Sequence, residues 1–229
     1  MNIIIKNIAI ALTLMTGLSA HATIISFDTI TGGGPNSTYT ESGFTFEPAG
    51  STADIKCWDG KCLKEVQQGL VTTMTGDSSN SPFELDFFYF ALIGTTTTAN
   101  NSFTLVGTKT DNSKIEAVFK EGDVLGTFST DATLSFAKDL GGNTDNGLLQ
   151  KNLGYWVDLG DEWTSLLSVD WVSNTASGPQ DGQYRLDCIG VQGELRNGGC
   201  TASDVPEPSS LALLGLGIVG LSLVRRKKS

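Results

Sequence analysis

Between residues 23 and 204 short runs rich in Phe, Val, Ile, Thr and Tyr alternate with clusters of Gly, Asn, Asp and Ser. Aromatic and β-branched residues suit the pleated, half-buried surface of a strand, and the intervening clusters suit turns. Ten runs are predicted as strands: IISFDTI (24–30), GFTFEP (43–48), GLVTTM (69–74), FELDFFYFALI (83–93), SFTLVGTKT (102–110), KIEAVF (114–119), ATLSFA (132–137), YWVDL (155–159), LLSVDWV (166–172) and YRLDCIGVQ (184–192). TDNSK and GGNTDNG read as turns between them. In SVDWV the residues Val169 and Trp171, and in GFTF the residues Phe44 and Phe46, fall two apart and share one inward face. The continuous FFYFALI run predicts a strand buried on both sides, hence a central one. The pattern as a whole predicts an all-β fold, a single β-sandwich over residues 23–204.

The two ends follow another pattern. The first 22 residues carry Lys6, an apolar run over 8–18, then Ala20 and Ala22 around His21. That order is a secretory signal peptide, read by the Sec export machinery and cut between Ala22 and Thr23. At the other end residues 209–224 hold no charge. As a helix they span roughly 24 Å, short against a hydrocarbon core of about 30 Å. The basic tail, Arg225, Arg226, Lys227 and Lys228, snorkels to the headgroups and keeps that end in the cytoplasm. Just before the span, Pro206 and Pro208 deny helix to the chain and leave an extended strip that a protease can thread.

The motif Val205, Pro206, Glu207, Pro208, followed by a short Gly/Leu-rich span and a basic tail, resembles the PEP-CTERM sorting signal of Gram-negative bacteria that make extracellular polysaccharide. The resemblance implies recognition and removal of the tail (residues 205–229) by exosortase, a membrane-embedded cysteine-protease-like enzyme. The chain would stay in the inner membrane transiently, and its body would end outside the cell or in the surface matrix. The layout of SFD, YTESGFTF, FELDFFYF, FTLVGTKTDNSKIEAVF and WTSLLSVDWV through YRLDCIGV is similar to bodies built as jelly-roll carbohydrate-binding modules. Their last strand often reads Leu-Asp-Asn-Ile. Here Cys188 stands in the place of that Asn, so a disulfide is implied where such domains carry an Asn ligand.

Charge and cysteine content sharpen the expectation. Without signal peptide and tail, ten Lys and Arg face twenty-four Asp and Glu, a net charge near −14. Such a surface repels nucleic acid and anionic lipid and suits divalent cations. Cys57, Cys62, Cys188 and Cys200 are even in number and lie in an exported body, so disulfides are expected. Of the three pairings, the local one is favoured: Cys57 with Cys62 across CWDGKC, and Cys188 with Cys200 across the C-terminal loop.

Catalytic options are narrow. The single histidine, His21, leaves with the signal peptide, so the mature body has no imidazole for a Ser-His-Asp or Cys-His mechanism or for a His-containing zinc site. TGGGP and LGGN lack the ending of a phosphate loop and read as turns. A pair of carboxylates suffices for glycoside hydrolysis, with Glu84, Asp86, Asp158 and Glu162 as candidates, although Glu84 and Asp86 alternate with apolar residues and read as the solvated face of a strand.

Calcium suits the acidic body better. Asp28 on the first strand and Asp187 on the last converge if those strands are neighbours. The Asp/Asn-rich stretch 139–146 is a second calcium candidate without EF-hand order. For carbohydrate, Trp58 in the CWDGKC loop is the expected stacking platform, whereas Trp156 and Trp171 lie in alternating strands and are expected in the core. The function expected is that of an exported, non-enzymatic surface or matrix protein, structural or adhesive and associated with exopolysaccharide. The alternatives are a carbohydrate-binding module and a carboxylate-dependent polysaccharide-active enzyme.

Overall fold

A computed structural model describes residues 22–30, 37–47, 51–52, 57–64, 71–93, 102–128, 130–140, 144–174, 183–194, 196 and 200. The signal peptide up to residue 21, the sorting motif at Val205, Pro206, Glu207 and Pro208, the apolar span and the basic tail from Arg225 to Lys228 lie outside the described residues. Among those described, the chain forms strands β1 (Thr23–Ile25), β2 (Tyr39–Glu41), β3 (Phe44–Glu47), β4 (Ser51–Thr52), β5 (Cys62–Lys64), β6 (Val71–Gly76), β7 (Leu85–Ile93), β8 (Ser102–Lys109), β9 (Lys114–Lys120), β10 (Gly126–Phe128), β11 (Ala132–Asp139), β12 (Leu153–Leu159), β13 (Leu166–Asn174) and β14 (Gln183–Val191). One short 3-10 turn at Asp161–Trp163 is the only helical element among them.

The strands make two antiparallel sheets. One runs β10-β11-β12-β7-β14-β5-β4, with β1 also paired to β14, and the other runs β2-β3-β6-β13-β8-β9. The chain passes back and forth between the sheets, as expected for a jelly-roll-like sandwich. All ten predicted strands are present. FFYFALI lies in β7, in the middle of its sheet, and its residues Phe87 to Leu92 are buried on both faces. Only short strands escape the sequence pattern: β2, β4, β5 and β10 hold too few residues for an alternation to declare itself.

The core between the sheets comes from the inward residues of both. Phe44, Phe46, Val169 and Trp171 are fully buried there, as their spacing of two requires. Trp171 meets Phe88 edge-on at 5.9 Å between ring centroids, a favourable aromatic geometry. Trp156 is in a core as expected, but not in this one. It is buried, but on the opposite face of its sheet, in a second cluster with Phe87, Tyr89, Ala91 and Cys188. Strand β7 supplies both clusters: Phe88 and Phe90 point into the sandwich, Phe87, Tyr89 and Ala91 out of it.

Register then fixes the outer face. Ser135 on β11, Trp156 on β12, Tyr89 on β7 and Asp187 on β14 are consecutive cross-strand partners and form one row. One step along, Asp158 faces Phe87. Register shifts between Asp187 and Gly190, where Cys188 takes φ 53°, a left-handed conformation typical of bulges that re-aim side chains. The first and last strands are neighbours: Thr23, Ile24 and Ile25 pair with Val191, Gly190 and Ile189. Asp28, however, is not on the first strand. β1 stops at Ile25, and Phe27 at φ 58° turns the chain so that Asp28 sits in an exposed turn.

Candidate functional site

The outer cluster is closed by a loop rather than by a sheet. The disulfide Cys57–Cys62 closes that loop, and a second disulfide joins Cys188 to Cys200, which is the local pairing. Inside the loop Trp58 lies half-buried against two rings, 4.8 Å from Trp156 and 5.7 Å from Tyr89 between centroids. Lys138 reaches over from β11, 5.4 Å above the Trp58 ring, and donates to the Trp58 carbonyl. Burial lowers the Lys138 ammonium, while Asp187 and Asp59 act to raise it. Gly154 on β12 leaves room for Tyr89, since a Cβ there would collide with the phenol ring.

Asp187 fastens the loop to the sheet. Its Oδ2 accepts the backbone N–H of Trp58 at 2.9 Å and of Asp59 at 3.4 Å, and its Oδ1 accepts the N–H of Cys188 at 2.8 Å. Burial pushes this carboxyl up to about 8 against those three donors, and the charge of Asp28 adds to the rise. Asp28 itself lies against Gly60, whose φ of +58° and missing Cβ the close approach requires. The structure therefore brings Asp28 and Asp187 to the two sides of one tight loop. It occupies both oxygens of Asp187 with N–H groups, and among the described residues no group of three His, Cys, Asp or Glu side chains gathers as a metal site. In the stretch 139–146, Asp145 and Asn146 turn their oxygens onto the N–H groups of Gly147 and Leu148, the usual work of Asx residues in a turn.

Beside the aromatic row, the same face holds a cleft of about 290 Å³. Glu84, Asp86, Asp158, Asp161 and Glu194 supply its carboxylates, Arg196 its cation, and Phe87 and Leu159 its apolar surface. Three of the four carboxylates suggested by sequence thus come together. The fourth, Glu162, is exposed, and its N–H goes to Asp131 at 3.2 Å. Asp86 is no solvated strand residue: its Oδ2 accepts the N–H of the buried Glu194 at 2.8 Å. Burial pushes Asp86 up to about 7, the N–H groups of Glu194 and Gly193 oppose this, and the charge and hydrogen bond of Glu84 add to it. Arg196 grips Asp158 with two parallel bonds, Nε to Oδ1 at 2.7 Å and Nη2 to Oδ2 at 2.8 Å, and its guanidinium lies 5.1 Å from the Trp156 ring. Sequence reasoning passed over Lys138 and Arg196. The only signal either offers is a lone cation, at the end of ATLSFAKD and in GELRNGG.

A third carboxylate works in the same way away from this face. Glu41 accepts the N–H groups of Ser26 and Phe27 at 3.0 Å each and the hydroxyl of Tyr39, pinning the turn that carries Asp28.

None of the curated proteins matches the chain. Among solved structures, it is similar to the K1 cleaved adhesin domain of Lys-gingipain from Porphyromonas gingivalis W83, at 11% identity and a TM-score of 0.39, over 76% of this chain and 98% of that one. A likeness that distant carries no argument about fold or role. The tail is different. Residues 204–228 match the PEP-CTERM protein-sorting motif, so the chain carries the signal of an exported protein, held transiently in the membrane and marked for processing by exosortase.

Proposed function

We propose that the exported body is a non-catalytic component of the cell surface or extracellular matrix of a Gram-negative bacterium, structural or adhesive in role, and that it contacts exopolysaccharide through the outer face of the eight-stranded sheet. The observation that carries this reading is Trp58. A disulfide-closed loop holds its ring partly buried at the surface of this face, braced by Trp156 and Tyr89 with Lys138 above it, beside a cleft rich in hydrogen-bonding side chains. Aromatic faces that stack on sugar rings, with polar neighbours for the hydroxyls, are the usual elements of carbohydrate recognition. The sorting motif supports the location, since it marks the chain as an exported protein. A glycan array that includes polysaccharide extracted from the producing cells tests the reading. Retention of the protein on that polysaccharide is expected, and no retention on any glycan overturns the carbohydrate part.

A second reading, a carboxylate-dependent enzyme acting on polysaccharide, has one observation in its favour. Asp86, with a carboxyl raised to about 7, shares the cleft with Asp158, which is gripped by Arg196. Two carboxyl groups in different environments are what acid and base roles in glycoside cleavage require. Release of reducing ends from the purified polysaccharide, lost in Asp86→Asn, would decide for the enzyme. Intact polysaccharide after prolonged incubation decides for the non-catalytic role.

A further inference from the structure

We propose that Trp156, Asp158 and Asp86 form a subsite for one neutral hexopyranose unit of an extracellular glycan, and that Arg196 is a latch that fills this subsite in the unliganded chain. The inference rests on the carbohydrate reading above and names where on the sheet a sugar ring is held.

Arg196 shows what the subsite accepts. Its planar guanidinium lies 5.1 Å from the Trp156 ring and sends two parallel N–H bonds, of 2.7 and 2.8 Å, to the two oxygens of Asp158. A ligand that replaces it must offer a flat apolar face to the indole and two adjacent donors to the carboxylate. A pyranose ring does both, with the C–H groups of one face and a vicinal pair of hydroxyls. Asp86 lines the same cleft, where its carboxyl already holds the N–H of Glu194 at Oδ2 and is bonded to Gly193 and Glu84, and the further lone pairs of a carboxyl can meet a hydroxyl. The cleft volume of about 290 Å³ lies at the small end of ligand pockets and suits a single ring. Five carboxylates against one guanidinium disfavour an anionic sugar.

The latch can open. The side chains of Arg196 and Asp158 are 27% and 37% exposed, and ion pairs exposed to this degree add little to stability. Trp156 is only 3% exposed, packed by Trp58, Tyr89 and Phe87 as well as by Arg196, and of these Arg196 is the one whose displacement would let a ligand reach both the ring and Asp158. Arg196 is therefore a competitor for its own site.

The test uses the full-length chain and two variants that break the same ion pair, Arg196→Ala and Asp158→Ala, with Arg196→Lys as a third that keeps charge but loses the fork. Intrinsic tryptophan fluorescence is titrated with cellohexaose, laminarihexaose and maltohexaose, and circular dichroism establishes that each variant is folded. The expected result is opposite shifts for the sugar that binds: about tenfold tighter or more in Arg196→Ala, an intermediate gain in Arg196→Lys, and at least tenfold weaker in Asp158→Ala. Binding seen only once Arg196 is removed supports the latch equally. If the wild type binds a hexasaccharide and both alanine variants shift together or not at all, the ion pair is a structural brace. The inference then falls, while the carbohydrate reading stands. If neither the wild type nor Arg196→Ala binds any hexasaccharide or the extracted exopolysaccharide, both fall.

Discussion

Among the described residues the sandwich has two apolar clusters, and they are closed by different means. The inner one lies between two sheets, so each inward residue is covered by the opposite sheet whatever the loops do. The outer one has a sheet on one side only. Its cover consists of the CWDGKC loop, two disulfides, a buried carboxylate and two cations, Lys138 and Arg196. The inner cluster needs only apolar side chains at the right spacing. The outer cluster needs polar groups placed one by one, and it can be uncovered without dismantling the sandwich. That is why the outer face, and not the larger core, is where a contact surface is expected.

The largest effect should come from the inner cluster. Trp171→Ala removes a fully buried indole, and losing a buried aromatic costs about 3–5 kcal/mol. The Trp171 indole N–H has no partner among the described residues, so the loss reads packing alone. Trp58→Ala, on the half-buried lid, should cost about 1 kcal/mol by comparison. Urea unfolding of both variants checks the ratio, and equal costs would erase the distinction between the clusters.

Next comes the covalent part of the lid. Replacing Cys188 and Cys200 together by Ser opens a loop of sequence separation 12, worth about 3 kcal/mol in the chain-entropy model. Fluorescence of Trp58 and Trp156 should report loosening at lower urea than the global transition reported by circular dichroism. A single coincident transition would mean that both clusters melt as one.

A smaller effect separates the clusters by pH. The outer face holds Asp187, raised to about 8, and Asp86, raised to about 7, both from an unfolded value near 4. A raised carboxyl contributes stability that is fully present below about pH 4 and is lost as pH rises through the folded values. Stability should therefore fall as pH rises from about 4 to about 8. Asp28, Asp59 and Lys138 face Asp187, and Glu84 and Glu194 face Asp86. Asp187→Asn should lower the slope by about half below pH 7 and remove it above, which melting curves over that range will show. An unchanged slope in this variant would place its origin elsewhere.

The smallest expected effect is that of calcium removal. A calcium ion between Asp28 and Asp187 would be lost to a chelator and lower the melting temperature. A carboxylate already engaged with the N–H groups of Trp58, Asp59 and Cys188 predicts coincident curves with and without chelator. A fall that Asp187→Ala abolishes would place a calcium ion at Asp28 and Asp187.

Period-two spacing made the inner half of the molecule legible. Val169 with Trp171, and Phe44 with Phe46, needed nothing but alternation to be placed, and the neighbouring of first and last strands followed from the sandwich topology. The outer half was not legible, because its contacts join residues far apart in sequence and come singly. Arg196 and Asp158 are 38 residues apart, Lys138 and Trp58 are 80 apart, and Glu194 and Asp86 are 108 apart. Trp156 is buried in a core cluster as its strand suggested, but the sequence did not say which one, for a related reason. In an alternating strand buried on both faces, hydrophobicity does not say which side a residue takes, and only the register Trp156 to Tyr89 settles it.

The measurement that bears most directly on the outer face as contact surface is co-sedimentation of the protein with polysaccharide extracted from the producing cells. It compares Trp58→Ala with Val118→Ala, a substitution of an exposed residue on β9 of the other sheet. Loss of most of the bound fraction in Trp58→Ala, with Val118→Ala matching the wild type, is the expected result. Equal binding by all three would contradict the account and move the contact surface off this face.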